Sequence, residues 1–536
     1  MKAHLMFPGR DFQVARAERP GEQDLIRDLD LETIWAAMAL GDDVVYQSSR
    51  SATLSGLTTV EEIRYRQSVL ADCLQQPQPI RDIYALAVDA VAQERKLFSS
   101  RSFTHGETLL NRSITALEMF VKSLRQLRSV AEFHASEFRS DGFVRLFNTV
   151  RIELDDAYFD EIAQHLHRLR FPGGVLASAQ LGDANQGIAY TLRTPRQENR
   201  GSFPKRRPAV KQPAYSRTIP REDHNGGEAL GALRDRVLSL AAAELAQSAD
   251  HVLSFFAALR VELGFYIGCL NLHDQLTAKG EPECLPDPHH LGAPEWSAQG
   301  LSDPCLSLTM PERVTANDLQ ADGKSLIIIT GANQGGKSTF LRSLGVAQLM
   351  MQAGLPVVAE SFSAPVVQGV FTHYKREEDV TMVRGKFDEE LGRMSEIGSH
   401  ISPHCLLLCN ESFAATNERE GSEIAAEIIR ALTHVGISVV FVTHLYELAH
   451  RLYGEHSGRT LFLRAERETD GGRQFRLTEA APLPTSYGED LFWQTFGGGP
   501  ARSVRATVVA PVTDGPEPPQ EVGGGALATS NEGERW

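Results

Sequence analysis

The stretch SLIIITGANQGGKSTFLRSLGVAQLMM, residues 325–351, constrains the fold of this chain more than any other. An apolar run long enough for one buried strand passes into a glycine-rich loop, and the loop into an apolar helical pattern. Gly331, Gly336, Lys337 and Ser338 fall at the spacing G-x-x-x-x-G-K-[ST], between the strand and helix that give this spacing its meaning. Glycines let backbone N–H groups curl around a phosphate at the positive end of a helix. The lysine then reaches the β- and γ-phosphates and the hydroxyl ligates Mg²⁺. The expected nucleotide-binding residues are Gly331, Ala332, Asn333, Gln334, Gly335, Gly336, Lys337, Ser338 and Thr339, with ATP and Mg²⁺ as the cofactors.

Downstream, CLLLCNE is an apolar strand ending in Asn410 and Glu411, followed by the helical pattern SEIAAEIIRAL and a second buried strand, ISVVFV, that ends in Thr443 and His444. This order is that of ATPases that dimerise around ATP. It assigns Glu411 to polarise the attacking water and His444 to sense the γ-phosphate, with Lys337 as the third catalytic group. Asn410 stands where such ATPases keep an aspartate that holds a metal-bound water. The metal set is therefore Ser338 directly and Asn410 through water. An amide oxygen accepts that hydrogen bond without a charge, and charge-assisted bonds are about twice as strong, so Mg²⁺ affinity falls without vanishing.

Around this core the chain divides by pattern. Residues 1–193 read as a helical core or lever domain. Thr58 with Glu61, or Thr59 with Glu62, offers a capping box; Ile80, Ile83, Tyr84, Ala87, Val88 and Val91 share one helical face. Leu110, Ile114, Leu117, Val121 and Leu124 form the seam of a helix packed lengthwise on another. Turn-formers predict a hairpin near 174–193. Residues 194–226, rich in proline and arginine, read as a loop or disordered insertion. Its cluster of Arg193, Arg196, Arg200, Lys205, Arg206, Arg207 and Lys211 suits either phosphate contact or plain solvation. A long lever helix is expected over 227–283, with Val252, Phe255, Leu259, Leu263, Tyr266 and Leu270 as its stripe and Gly264 and Gly268 as candidate interruptions. Strands alternating with helices over 284–496 predict an α/β domain with a mostly parallel sheet, and 497–536 read as a disordered tail.

The formal charge of -15 requires any nucleic acid to be held by a local basic patch. Six scattered cysteines form no C-x-x-C pair, which favours reduced thiols. No apolar run reads as long enough to span a bilayer and MKAHLMFPGRDF lacks a signal-type hydrophobic stretch, so a cytoplasmic protein without a membrane partner is expected.

At this point particular residues resemble the MutS family. TGANQGGKST is similar to its P-loop TGPNMGGKST, with Ala332 and Gln334 as the differences. VTANDLQ resembles the family's V-x-N-D segment near the adenine, VFTHYKREEDV its I-F-T-R-I-G-A-x-D region, and NESFAATNEREG its D-E-L-G-R-G-T-S-T-x-x-G. The resemblance covers about 310–450 closely and the preceding helices more loosely. It implies a P-loop NTPase domain behind helical levers, an ATPase with two sites at a homodimer interface, and DNA as the partner. The chain begins in lever-like helices, which implies that the family's mismatch-reading domain and its Phe-x-Glu wedge are absent; Phe387-Asp388-Glu389 lies inside the ATPase part. Where the family has S-T-F-M-V-E-M this chain has Gly385 to Leu391, so the serine that faces the partner subunit's γ-phosphate is lost. Arg384, Gly385, Lys386, Thr416 and Asn417 are the candidates for contact across that interface. Phe413-Ala414-Ala415 replaces G-R-G, implying a stiffer, differently packed interface. Three readings follow: a slow ATPase acting as a nucleotide-gated DNA clamp, a non-hydrolysing dimerisation switch, and an SMC-like or transporter-like ATPase with a protein partner.

Overall fold

A computed structural model describes residues 1–98, 106–183, 187–193, 218–220, 222–332, 334–376, 385–455, 457–466 and 474–484. Its helices form where apolar residues recur at helical spacing and stop where the pattern does: α1 (Glu22–Asp28), α2 (Leu31–Ala39), α3 (Asp43–Ser55), α4 (Val60–Gln75), α5 (Pro77–Phe98), α6 (Gly106–His134), α7 (Asp141–Glu153) and α8 (Asp156–Leu169). Asp42, Ser140 and Asp155 cap α3, α7 and α8 by accepting from backbone N–H groups of the first turn. At α4 the expected capping box is replaced by a bond between the two side chains. Thr59 is the N-cap, yet its hydroxyl donates to the Glu62 carboxylate at 3.2 Å instead of accepting from the backbone. The stripes of α5 and α6 are buried as their spacing requires, apart from Val88 and Val121, which are half-buried at the edge of the core.

The hairpin consists of β1 (Ala177–Leu181) paired antiparallel with β2 (Gly187–Leu192). Most of the expected insertion lies outside the described residues, as do 485–496 and the tail. The long helix α9 (His224–Ala278) is continuous over 55 residues, about 80 Å at 1.5 Å per residue, and starts earlier than 227 because Asp223 caps it through the Gly226 N–H. Neither Gly264 nor Gly268 interrupts it. A Cβ on Gly268 would lie 2.7 Å from Ser49 Oγ and 3.1 Å from Met38 Cε, so this glycine lets α2 and α3 close onto α9. Every residue from Glu262 to Leu272 is buried, with α2, α3, α5 and α6 around the helix. This burial explains a correction: by length and composition α9 is apolar enough to cross a bilayer, although no such run was expected. A helix covered on all sides is apolar on all sides, and most of the window in question is buried.

Beyond α9 come β3 (Asp287–His289), β4 (Ser297–Leu301), α10 (Pro304–Thr309), β5 (Asn317–Gln320), β6 (Leu326–Gly331), α11 (Lys337–Ala353), β7 (Ser361–Pro365) and β8 (Val370–Tyr374). They are followed by α12 (Lys386–His400), β9 (Leu406–Asn410), α13 (Glu418–His434), β10 (Ser438–Val442), α14 (Tyr446–Gly454), β11 (Thr460–Ala465) and β12 (Leu477–Glu479). Six strands form one sheet in the order β12-β11-β6-β10-β9-β8, parallel except for the edge strand β12. A smaller mixed sheet, β3-β7-β4-β5, lies beside it. The architecture is thus helical first and α/β second, with a mostly parallel main sheet. From Phe340 to Ala353 every residue of α11 but Arg342 is buried, and its core is continuous with that of the helical region.

The packing at Gly268 gives the first prediction. Gly268→Leu forces side-chain atoms into Ser49 and Met38, and chemical denaturation will show a loss of about 1–3 kcal/mol. An unchanged midpoint would contradict the close approach of α2 and α3.

Candidate active site

Parallel pairing brings four strand ends to one edge. Val442 of β10 is in register with Asn410 of β9 on one side and Ile329 of β6 on the other, and Asn410 pairs with Tyr374 of β8. The chain segments that leave these strands therefore meet at the carboxyl edge of the sheet, where α/β folds place ligands. Backbone bonds fix the exits: Glu411 N–H donates to Val442 O at 2.9 Å, Thr443 N–H to Ile329 O at 3.0 Å, and Lys375 N–H to Asn410 O at 2.9 Å.

The glycine-rich loop leaves β6 with Gly331 at φ 110, and a Cβ there would lie 2.8 Å from the Ala465 nitrogen of β11. Only glycine both adopts that φ and tolerates that approach. Lys337 Nζ donates to the carbonyls of Gly331 and Ala332 at 2.9 and 2.8 Å, and burial pulls its pKa down. Ser338 Oγ donates to Asn410 Oδ1 at 2.9 Å. Two hard oxygens so close, at the first turn of a helix, suit an ion that takes few protein ligands and keeps water and phosphate for the rest, as Mg²⁺ does. Among the described residues no cluster of three or more His, Cys, Asp or Glu offers a self-sufficient metal cage.

Glu411 has φ 54, and its Oε1 lies 3.5 Å from His444 Nδ1. That histidine contact, outweighing partial burial, holds the carboxyl below the usual glutamate range, so the carboxylate is ionised at neutral pH. Lys337, Ser338, Glu411 and His444 all line one cavity of about 770 Å³, together with Gln334, Gly335, Gly336 and Thr339. Its other wall is built by Met310, Val314, Thr315, Asn317 and Phe475. Asn333 and Arg384 lie outside the described residues.

The expected interface residues sit elsewhere. Gly385 is the N-cap of α12 and Lys386 its first residue. Asn417 caps α13 by accepting from Glu420 N–H at 2.9 Å, while Thr416 Oγ1 donates to Glu420 Oε2 at 2.7 Å. Phe413 corrects the reading of the loop as interface packing: its side chain is fully buried within the chain, although its φ is 64. Burial and stacking on His373, with ring centroids 5.5 Å apart, offset the cost of that conformation. His373 in turn donates from Nε2 to Glu390 O at 3.0 Å, and its Nδ1 lies 2.7 Å from Ser412 Oγ. The loop that carries Glu411 is held from beneath by this imidazole.

Sequence reasoning missed Lys375 and Phe475, which line the cavity, and His373 beneath it. Lys375 carried a signal, one of two adjacent cations just past a strand that pairs with β9. Phe475 carried none.

Burial, then the neighbouring Arg393, lowers the pKa of His373 from 6.5 to about 4. The stabilisation is complete above pH 6.5 and is lost as pH falls through about 4, because the unfolded chain takes up the proton first. Melting curves should show His373→Asn flattening the loss of stability across that window, worth about 3 kcal/mol in the wild type. Parallel profiles would contradict the account.

Two family profiles match the chain: the MutS2 N-terminal domain over residues 58–279 and MutS domain V over 327–489. A DNA mismatch repair protein MutS of Chlorobium chlorochromatii is 32% identical over 189 residues, covering 32% of this chain and 22% of that protein. An endonuclease MutS2 of Streptococcus equi subsp. equi is 34% identical over 141 residues, covering 26% of this chain and 18% of its own length. Another, from Lacticaseibacillus casei, is 33% identical over 163 residues, or 30% and 20% of the two chains. The chain thus spans about a fifth of the length of the curated relatives it matches.

Proposed function

From the premise that this chain belongs to the MutS family, we propose that it is a P-loop ATPase that binds ATP with Mg²⁺ at the carboxyl edge of its main sheet and hydrolyses it slowly. The observation that carries this reading is the convergence of Lys337, Ser338, Glu411 and His444 on one cavity. Lys337 exchanges its carbonyl partners for phosphate oxygens, at little cost because those carbonyls already hold it over the loop. The ionised Glu411 carboxylate orients a water and accepts its proton as the new P–O bond forms and the bond to the ADP oxygen breaks. His444 positions that carboxylate. Bound Mg²⁺ supplies charge neutralisation on the phosphate oxygens, with Ser338 as direct ligand and Asn410 behind a water.

The same reading makes the protein a cytoplasmic homodimer joined through the ATPase part, with the helical part before residue 284 as the lever that clamps DNA. The Glu411–His444 contact favours hydrolysis over a switch that only binds nucleotide, since binding alone needs no water-orienting carboxylate.

Turnover measured with and without duplex and branched DNA tests it. Glu411→Gln should cut the rate at least a hundredfold while nucleotide still binds, and Lys337→Ala should abolish binding. Wild-type turnover equal to the Lys337→Ala background would remove the ATPase assignment; a rate indifferent to every DNA would favour a protein partner. Asn410→Asp should lower the Mg²⁺ concentration needed for half-maximal turnover, and an unchanged requirement would remove Asn410 from the metal shell.

A further inference from the structure

Lys375 follows the last residue of β8, and its N–H bond to Asn410 O anchors its backbone beside the strand end that carries Glu411. Its side chain is exposed and lines the same cavity as Lys337, Ser338, Glu411 and His444. Among the described residues it makes no salt bridge, whereas the adjacent Arg376 is engaged, by Asp24 of α1 and by Glu389 at 3.8 Å. The two neighbouring cations therefore split: Arg376 ties β8 to the helical region, and Lys375 is left facing the cavity. In the motif I-F-T-R-I-G-A-x-D, which this segment resembles, these two positions are glycine and alanine, whereas here both are charged.

Charge accounting gives this lysine a role. Asn410 lacks the negative charge that would strengthen a metal on the phosphates, and the serine that would face the γ-phosphate from a partner is also missing. The first loss leaves the terminal phosphate less well neutralised, and the second leaves it one hydrogen-bond donor short. A flexible ammonium on the Glu411 side of the cavity is placed to make up the deficit without a metal or a second subunit. We propose that Lys375 binds the terminal phosphate of ATP from within the same chain, sharing it with Lys337 and reducing the dependence of binding on Mg²⁺. This rests on the reading that the cavity holds ATP.

The test is equilibrium binding of fluorescent ATP and ADP analogues to the full chain, in Mg²⁺ and in EDTA, for wild type, Lys375→Met, Lys375→Arg and Lys337→Ala. Lys375 is exposed, so its truncation leaves the fold intact, which circular dichroism checks. The expected result is that Lys375→Met weakens ATP binding in EDTA about tenfold, the value of one charge-assisted hydrogen bond. The loss in Mg²⁺ should be smaller, ADP should stay within about twofold, and Lys375→Arg should restore most of the affinity. Wild-type-like ATP binding by Lys375→Met, or an equal loss for ADP, overturns the inference while the nucleotide site stands. A wild type that binds ATP no better than Lys337→Ala overturns both.

Discussion

The structure depends on a single buried helix shared by its two parts. The first turn of α11 carries the glycine-rich loop, and its last turn is fastened to the helical region about 25 Å away. Leu57 N–H donates to Gln352 O at 2.7 Å and Gln352 Nε2 donates back to Leu57 O at 2.8 Å. Arg66 of α4 donates from Nη1 to Ala353 O at 3.2 Å and from Nε to Met6 O at 3.1 Å. A guanidinium at a helix C-terminus meets the negative end of the helix dipole, and here it does so fully buried, which lowers its pKa to about 10. Gly345, at the middle of α11, sits between Leu408 of β9 and Leu29 beside α1. α11 thus joins the loop at Lys337 directly to Leu57 and to Arg66 of α4.

The irregular amino-terminal segment closes this arrangement. Leu5 and Met6 N–H groups donate to Glu262 Oε2 of α9 at 2.5 and 3.1 Å, and Tyr266 Oη donates to Leu5 O at 2.7 Å. One short segment therefore joins the long helix to Arg66 and, through it, to α11. Two buried side chains of opposite sign are bound by the same stretch of backbone, Glu262 through Oε2 and Arg66 through Nε, an arrangement that fixes one register of α9 against α4.

How much of this was legible follows from the range of each interaction. The loop at 331–339, the strand ending at Glu411 and the stripe of α9 were readable because each is a local pattern of apolar spacing and punctuation. MKAHLMFPGRDF was not: its partners, Glu262 and Tyr266, lie more than 250 residues away, and nothing in twelve residues announces them. Phe413 was misplaced for a related reason. Its position in place of the family's G-R-G suggested interface packing, and only the fold brings His373 under it. Thr416 matches a family motif and Asn417 stands where that motif has serine; within this chain Asn417 caps α13 and Thr416 bonds the Glu420 carboxylate, local roles that the motif letters alone do not announce.

The most direct test of the account is a crystal structure of the chain with a non-hydrolysable ATP analogue and Mg²⁺. The account predicts phosphates over the N–H groups of residues 334–339, with Lys337 Nζ moved from the Gly331 and Ala332 carbonyls onto phosphate oxygen and Ser338 turned from Asn410 to the metal. A nucleotide bound away from this loop, or Lys337 still on those carbonyls beneath a bound triphosphate, would contradict it.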